Sequence, residues 1–116
     1  IDVKQILVQL QAIGPKIVSV TDGSNGAYAA DVQGKMYHLP IFPATVLERT
    51  GAGDSYGSGF LAALIHGLPV ADAMRWGAVN AASVVAAIGA EKGLLKKEEI
   101  EKRLLEYPSF TASSIV

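Results

Sequence analysis

The sequence predicts an α/β fold, a layered sheet with helices on its faces, and three observations carry that prediction. The elements read in the order helix, strand, hairpin, then helices. Ile17-Val18-Ser19-Val20-Thr21 is a short apolar run of the kind that parallel sheets bury. Of the 116 residues 50% are hydrophobic and 18% charged, so the chain has a core to bury and is not disordered. The length suits one modest domain spanning residues 1–116.

Residues 2–13 form the first predicted helix. Val3, Ile6, Leu7, Leu10 and Ile13 mark one face, and Gly14-Pro15 stops it. The strand at 17–21 runs into the turn Asp22-Gly23-Ser24-Asn25-Gly26. Residues 27–32 and 35–42 read as a hairpin around Gln33-Gly34, with Pro40 and Pro43 placing its second strand near an edge. Residues 44–50 connect to three helices. The first covers 53–66 and ends at Gly67. The second starts at Pro69, a good first-turn residue, and runs to Ile88 before Gly89. Its face Val70, Ala73, Met74, Gly77, Ala81, Val84, Val85, Ile88 is apolar, and much of the other side is alanine, so burial on most sides is expected. The third, 96–106, turns Ile100, Leu104 and Leu105 inward, with Glu98–Lys102 and Glu99–Arg103 spaced i,i+4 outside. The tail 108–116 has no clear periodicity.

Net charge is −1 with no basic run, which argues against a nucleic-acid or membrane-surface role. The absence of cysteine removes disulfides and thiolate metal sites. The longest apolar stretch, Ala78 to Ala90, includes Asn80 and Ser83 and is too short to span a bilayer, and nothing resembles a signal peptide. A soluble cytoplasmic protein is the expectation. The first residue is Ile1 in what reads as a helix in progress, as expected of the middle of a longer protein.

The chemistry concentrates in Thr50-Gly51-Ala52-Gly53-Asp54, followed at once by a helical run. Small residues let backbone N–H groups approach a bulky anion, and a helix N-terminus leaves several of them unpaired with partial positive charge. Asp54 sits beside this cradle as a proton acceptor, a pairing suited to phosphoryl transfer onto a hydroxyl. The bland alternative is a tight turn with Asp54 as a capping carboxylate. Against it stand the unbroken packing of small residues and a second glycine turn upstream, Thr21 to Gly26. Gly23 and Gly26 permit positive φ there, and Ser24 and Asn25 offer hydrogen bonds. In open α/β sheets ligands bind beyond such strand ends, although a turn of this composition is often only a turn.

Rival motifs fail on residues. No lysine follows the glycines as a Walker A loop requires, and Tyr56 occupies the third glycine position of a dinucleotide fingerprint. Gly53-Asp54-Ser55-Tyr56-Gly57 matches the hydrolase elbow G-x-S-x-G, but the only histidine after Ser55 is His66, about three turns along the same helix, so no triad forms within the chain. His38, in a hairpin strand, reads as a surface residue.

The segment from Glu48 to Phe60 closely resembles the C-terminal signature D-T-x-G-A-G-D of the ribokinase-like (PfkB) carbohydrate kinases. Thr21-Asp22-Gly23-Ser24-Asn25-Gly26-Ala27 is similar to that family's T-x-G-x-x-G-a nucleotide turn. Ala73-Met74-Arg75-Trp76-Gly77 and Ile88-Gly89-Ala90 resemble its alanine-rich helix and closing Gly-Ala. The resemblance covers Ile1 to about Tyr107 and implies the C-terminal part of a ribokinase-like three-layer α/β/α sandwich. It implies an ATP- and Mg2+-dependent transferase phosphorylating a sugar or sugar-like substrate. Asp54 would be the catalytic base, Gly51, Ala52, Gly53 and the Asp54 N–H the anion hole, and Thr21, Asp22, Gly23, Ser24, Asn25 and Gly26 the loop along ATP. Asn80 is the polar candidate near the nucleotide base, with an amide satisfying a neighbouring helix as the equal alternative.

Two residues depart from the pattern: Glu48 stands where the family usually has Asp, and Arg49 where it has Thr. A monovalent cation such as K+, bound by many members, would have Glu48, Thr50, Val84, Ala87 and Gly89 as its counterparts here. The family's substrate-binding half, lid strands and N-x-x-E motif have no counterpart in the sequence. The expected partners are therefore the N-terminal portion of the same enzyme or a second copy, covering an exposed sheet edge and apolar helix faces.

Overall fold

The computed structural model describes residues 2–42, 52–86 and 97–115. Helix α1, Val3–Ile13, is capped by the Asp2 carboxylate, which accepts the Lys4 N–H at 3.0 Å. It ends at Gly14, whose N–H bonds the Gln11 carbonyl. Val3, Leu7 and Leu10 pack inward, while Ile13, counted on the same face in the sequence, lies at the last position and is exposed.

Four strands follow: β1 (Val18–Thr21), β2 (Ala27–Ala30), β3 (Met36–Leu39) and β4 (Ser113–Ile115). They lie side by side in chain order, and every pairing is antiparallel. The apolar β1 run therefore sits in an antiparallel ladder among the described residues, not a parallel one. Register pairs Val18 with Ala30, Ala30 with Met36, and Met36 with Ile115. Because side chains alternate across a sheet, Val18, Val20, Tyr28, Ala30 and Met36 share one face, and α1 lies on it. Ala27, Ala29, Tyr37 and Leu39 belong to the opposite face, against the remaining helices. The sheet is thus the middle of three layers.

The second sandwich face carries α2 (Ala52–Ile65), α3 (Val70–Ala86) and α4 (Lys97–Glu106). Among the described elements α2 and α3 make the most extensive contact, and glycine lets them do so. A Cβ on Gly59 would stand 2.7 Å from the Trp76 carbonyl oxygen, and one on Gly77 would stand 2.8 Å from the Tyr56 ring and carbonyl. Ala73, Met74 and Val79 of α3 are fully buried, as its nearly all-round apolar surface requires. In α4, Ile100 and Leu104 are buried but Leu105 is exposed, since adjacent helical positions diverge by about 100°.

The tail adds a strand outside the hairpin, and β3 stays next to the edge, near which its prolines place it. Phe110 is buried edge-on against Phe42, and its carbonyl accepts the Arg75 Nε–H at 2.7 Å. That anchor brings residues 113–115 alongside β3, so β3 is an inner strand among those described. Pro40 follows its last residue, where a missing N–H removes no ladder bond.

Candidate active site

The site is assembled at two places. At the start of α2 the N–H groups of Ala52, Gly53 and Asp54 lie in the first helical turn, where no preceding intrahelical carbonyl can receive them. Asp54 is exposed, and its carboxylate bonds no group among the described residues. Its carbonyl accepts the Ser58 hydroxyl at 3.1 Å, an ordinary i,i+4 contact. An acid held in a first turn, open to solvent and beside amides with no intrahelical partner, can cap its own helix or meet an incoming group.

The residues just after Asp54 anchor that turn. Ser55 is buried, and its carbonyl accepts the Asn80 side-chain amide at 2.7 Å. Asn80, itself 3% exposed, thus ties α3 to the residue beside the acid, which is the helix-satisfying role weighed for it in the sequence. Tyr56 reaches the sheet, its hydroxyl lying 2.9 Å from Ser19 Oγ. Burial pushes the Tyr56 phenol up to about 12, partly offset by the Ser19 hydrogen bond. Ser19 lies on β1, just before the glycine turn, and Tyr56 lies just after Asp54. One hydroxyl pair therefore joins the strand leading to the turn with the helix bearing the acid.

The second place is the turn between β1 and β2. Gly23–Asn25 form a single 3₁₀ turn, and Thr21 to Asn25 are all exposed. The loop is closed by Asp22 N–H to the Gly26 carbonyl at 2.8 Å, Asn25 N–H to the Asp22 carbonyl at 2.9 Å, and the Asn25 amide to the Asp22 carboxylate at 3.2 Å. Gly26 has φ 90°, and a Cβ there would overlap the Leu39 carbonyl oxygen, so both conformation and space demand glycine. Sequence reasoning missed one member of this cluster. His38 is half-buried on β3, and its Nε2 lies 2.8 Å from the Asn25 carbonyl. Its cross-strand register opposite Tyr28 was the available signal.

Gly51, Glu48, Thr50, Ala87 and Gly89 lie outside the described residues, and Val84 lies on α3. Among the described residues no cluster of His, Cys, Asp or Glu could hold a metal ion. No helix among them is long and apolar enough to cross a membrane.

Comparison with known proteins decides the family. Residues 1–97 match the pfkB family carbohydrate kinases. The chain belongs to this family. It is 34% identical over 87 residues to the 5-dehydro-2-deoxygluconokinase of Geobacillus thermodenitrificans, covering 75% of this chain and 26% of that protein. The ribokinase of Arabidopsis thaliana, solved with ribose and ATP, superposes with a TM-score of 0.78 at 28% identity, over 88% of this chain and 33% of that one. An Escherichia coli protein described as a ribokinase II, solved with ATP and Mg2+, shares the fold at TM-score 0.82 and 23% identity, over 92% of this chain and 34% of that one. The PfkB chain described here is a partial ribokinase fold, spanning about a quarter to a third of these relatives' lengths.

Proposed function

We propose that this chain is the nucleotide-binding and catalytic-base portion of a carbohydrate kinase that moves the γ-phosphate of Mg·ATP to a sugar hydroxyl. The observation that carries the reading is Asp54, exposed in the first turn of α2 beside backbone amides that have no intrahelical partner. The sugar oxygen attacks the γ-phosphorus, the bond to the bridging oxygen breaks, and that electron pair leaves with ADP. The sugar hydroxyl proton passes to the Asp54 carboxylate. The Gly51–Asp54 backbone amides hold the charge on the transferring group, and the Thr21–Gly26 turn lies along the nucleotide. Mg2+ supplies charge neutralisation when it arrives with the nucleotide. Family membership and the relatives solved with ATP support this assignment.

Asp54→Asn in the full-length kinase tests it. Loss of the base should lower turnover by about 10²–10⁴-fold, the span of general-base contributions, and near-normal turnover removes the assignment.

A narrower reading draws on the share of the relatives that the chain spans, 26% of the Geobacillus enzyme. In this reading the isolated chain binds nucleotide, or serves as a structural module, without transferring phosphate, because substrate positioning supplies much of the rate. Calorimetric titration of the 116-residue chain with Mg·ATP separates the cases. Saturable binding that is lost on Gly53→Leu supports the nucleotide site, and absence of binding leaves the structural role.

A further inference from the structure

We propose that His38 is a positioning residue for the nucleotide turn, a role that rests on the nucleotide reading of Thr21–Gly26 above. Three contacts carry it. A carbonyl oxygen can only accept, so the 2.8 Å contact requires His38 Nε2 to carry a hydrogen and donate it to the Asn25 carbonyl. The imidazole is held from the side by Tyr28, its partner across the β2–β3 ladder, with ring centroids 4.7 Å apart and planes tilted by 35°. The next residue along β3, Leu39, places its carbonyl in the space a Gly26 side chain would fill, and Pro40 Cα follows at 2.9 Å from that point. Consecutive residues of β3 therefore form the floor on which the turn rests.

The effect on the turn is local. The peptide unit between Asn25 and Gly26 is fixed at both ends, its carbonyl by His38 and its N–H by the Gly23 carbonyl at 3.2 Å. Exposed loops lose conformational freedom when a ligand binds, and that cost lowers affinity. A side chain that already holds the Asn25–Gly26 peptide removes part of the cost before the nucleotide arrives. His38 thus acts through Asn25 and Gly26 and need not touch the nucleotide.

The role is tested on the 116-residue chain by calorimetric titration with Mg·ATP, comparing His38→Phe with His38→Gln. Phenylalanine keeps a ring against Tyr28 and loses the donor, whereas glutamine loses the ring and keeps an amide N–H near the Nε2 position. The His38→Phe chain should bind about three- to tenfold more weakly, the worth of one hydrogen bond, and His38→Gln should stay within about twofold of the native chain. Equal affinities for the two variants would overturn the role. Failure of the native chain to bind Mg·ATP overturns the nucleotide reading first and this inference with it. A second measurement covers a variant that does not fold: in the native chain, saturation with Mg·ATP should shift the NMR resonances of His38 Nε2 and the Gly26 amide, and unchanged positions contradict the proposal.

Discussion

Asp54 is the residue on which the proposed chemistry turns, and its neighbours show how an exposed acid is given a fixed base. Ser55 and Tyr56 are buried, and each is held by a polar contact, Ser55 to Asn80 in the interior and Tyr56 to Ser19 in a partly buried one. The buried Tyr56 phenol carries a pH signature. The Tyr56 phenol has a folded-state value of about 12 against an ordinary 10, so between these pH values the unfolded chain releases a proton that the folded chain keeps. Stability is unaffected by this group below pH 10 and falls as pH rises toward 12, by up to about 2–3 kcal/mol. Urea unfolding at pH 8 and pH 11 should show about half of that loss, roughly 1–1.5 kcal/mol, in the native chain and a smaller one in Tyr56→Phe. At Gly26, Gly26→Ala should cost about 2 kcal/mol or more, from the positive φ and the collision with Leu39, read by the same unfolding measurement. The turn at residues 22–26 was legible because glycine and turn-forming residues carry their conformations in their identities. His38 was not, since its partner is a main-chain carbonyl that only the hairpin register brings within reach.

Elements were legible where local pattern and tertiary context agree. Asp2 and Gly14 bracket α1, and Gly34 marks the hairpin bend between β2 and β3. The strand β4 was hidden because Ser113-Ser114-Ile115 has neither length nor alternation, and β3 and the Phe110 anchor create it. Strand direction was not legible for a related reason: an apolar run reports burial, and among the described residues β1 pairs antiparallel with β2. The α2–α3 pair offers a sharper test of packing. Gly77→Ala would force a methyl group against Tyr56 and should destabilise the chain by about 1–3 kcal/mol. Gly57→Ala, on the exposed side of α2 with open space around it among the described residues, should stabilise it by about 0.5–1 kcal/mol through helix propensity alone. Thermal unfolding of both variants checks the contrast, and matching shifts would mean that the close approach of the two helices is wrong.

At the scale of the molecule, one sheet with α1 on one face and α2, α3 and α4 on the other carries both parts of the proposed site. The glycine turn leaves the sheet at the end of β1, the acid opens a helix packed on that sheet, and Ser19 to Tyr56 links them. Leu61 and Ile65 stand exposed four residues apart on α2, an apolar stripe beyond the turn bearing Asp54. The three layers were predictable from the element order together with the family resemblance, whereas the antiparallel course of the sheet emerged only from its pairings. The most direct measurement is phosphoryl transfer from Mg·ATP to a sugar by the full-length kinase, with and without Asp54→Asn. Turnover should fall by about a hundredfold or more, with the KM for ATP changed by less than about threefold, since in the proposed role the Asp54 side chain receives a proton and does not hold the nucleotide. Turnover within about twofold of the unaltered enzyme would contradict that role.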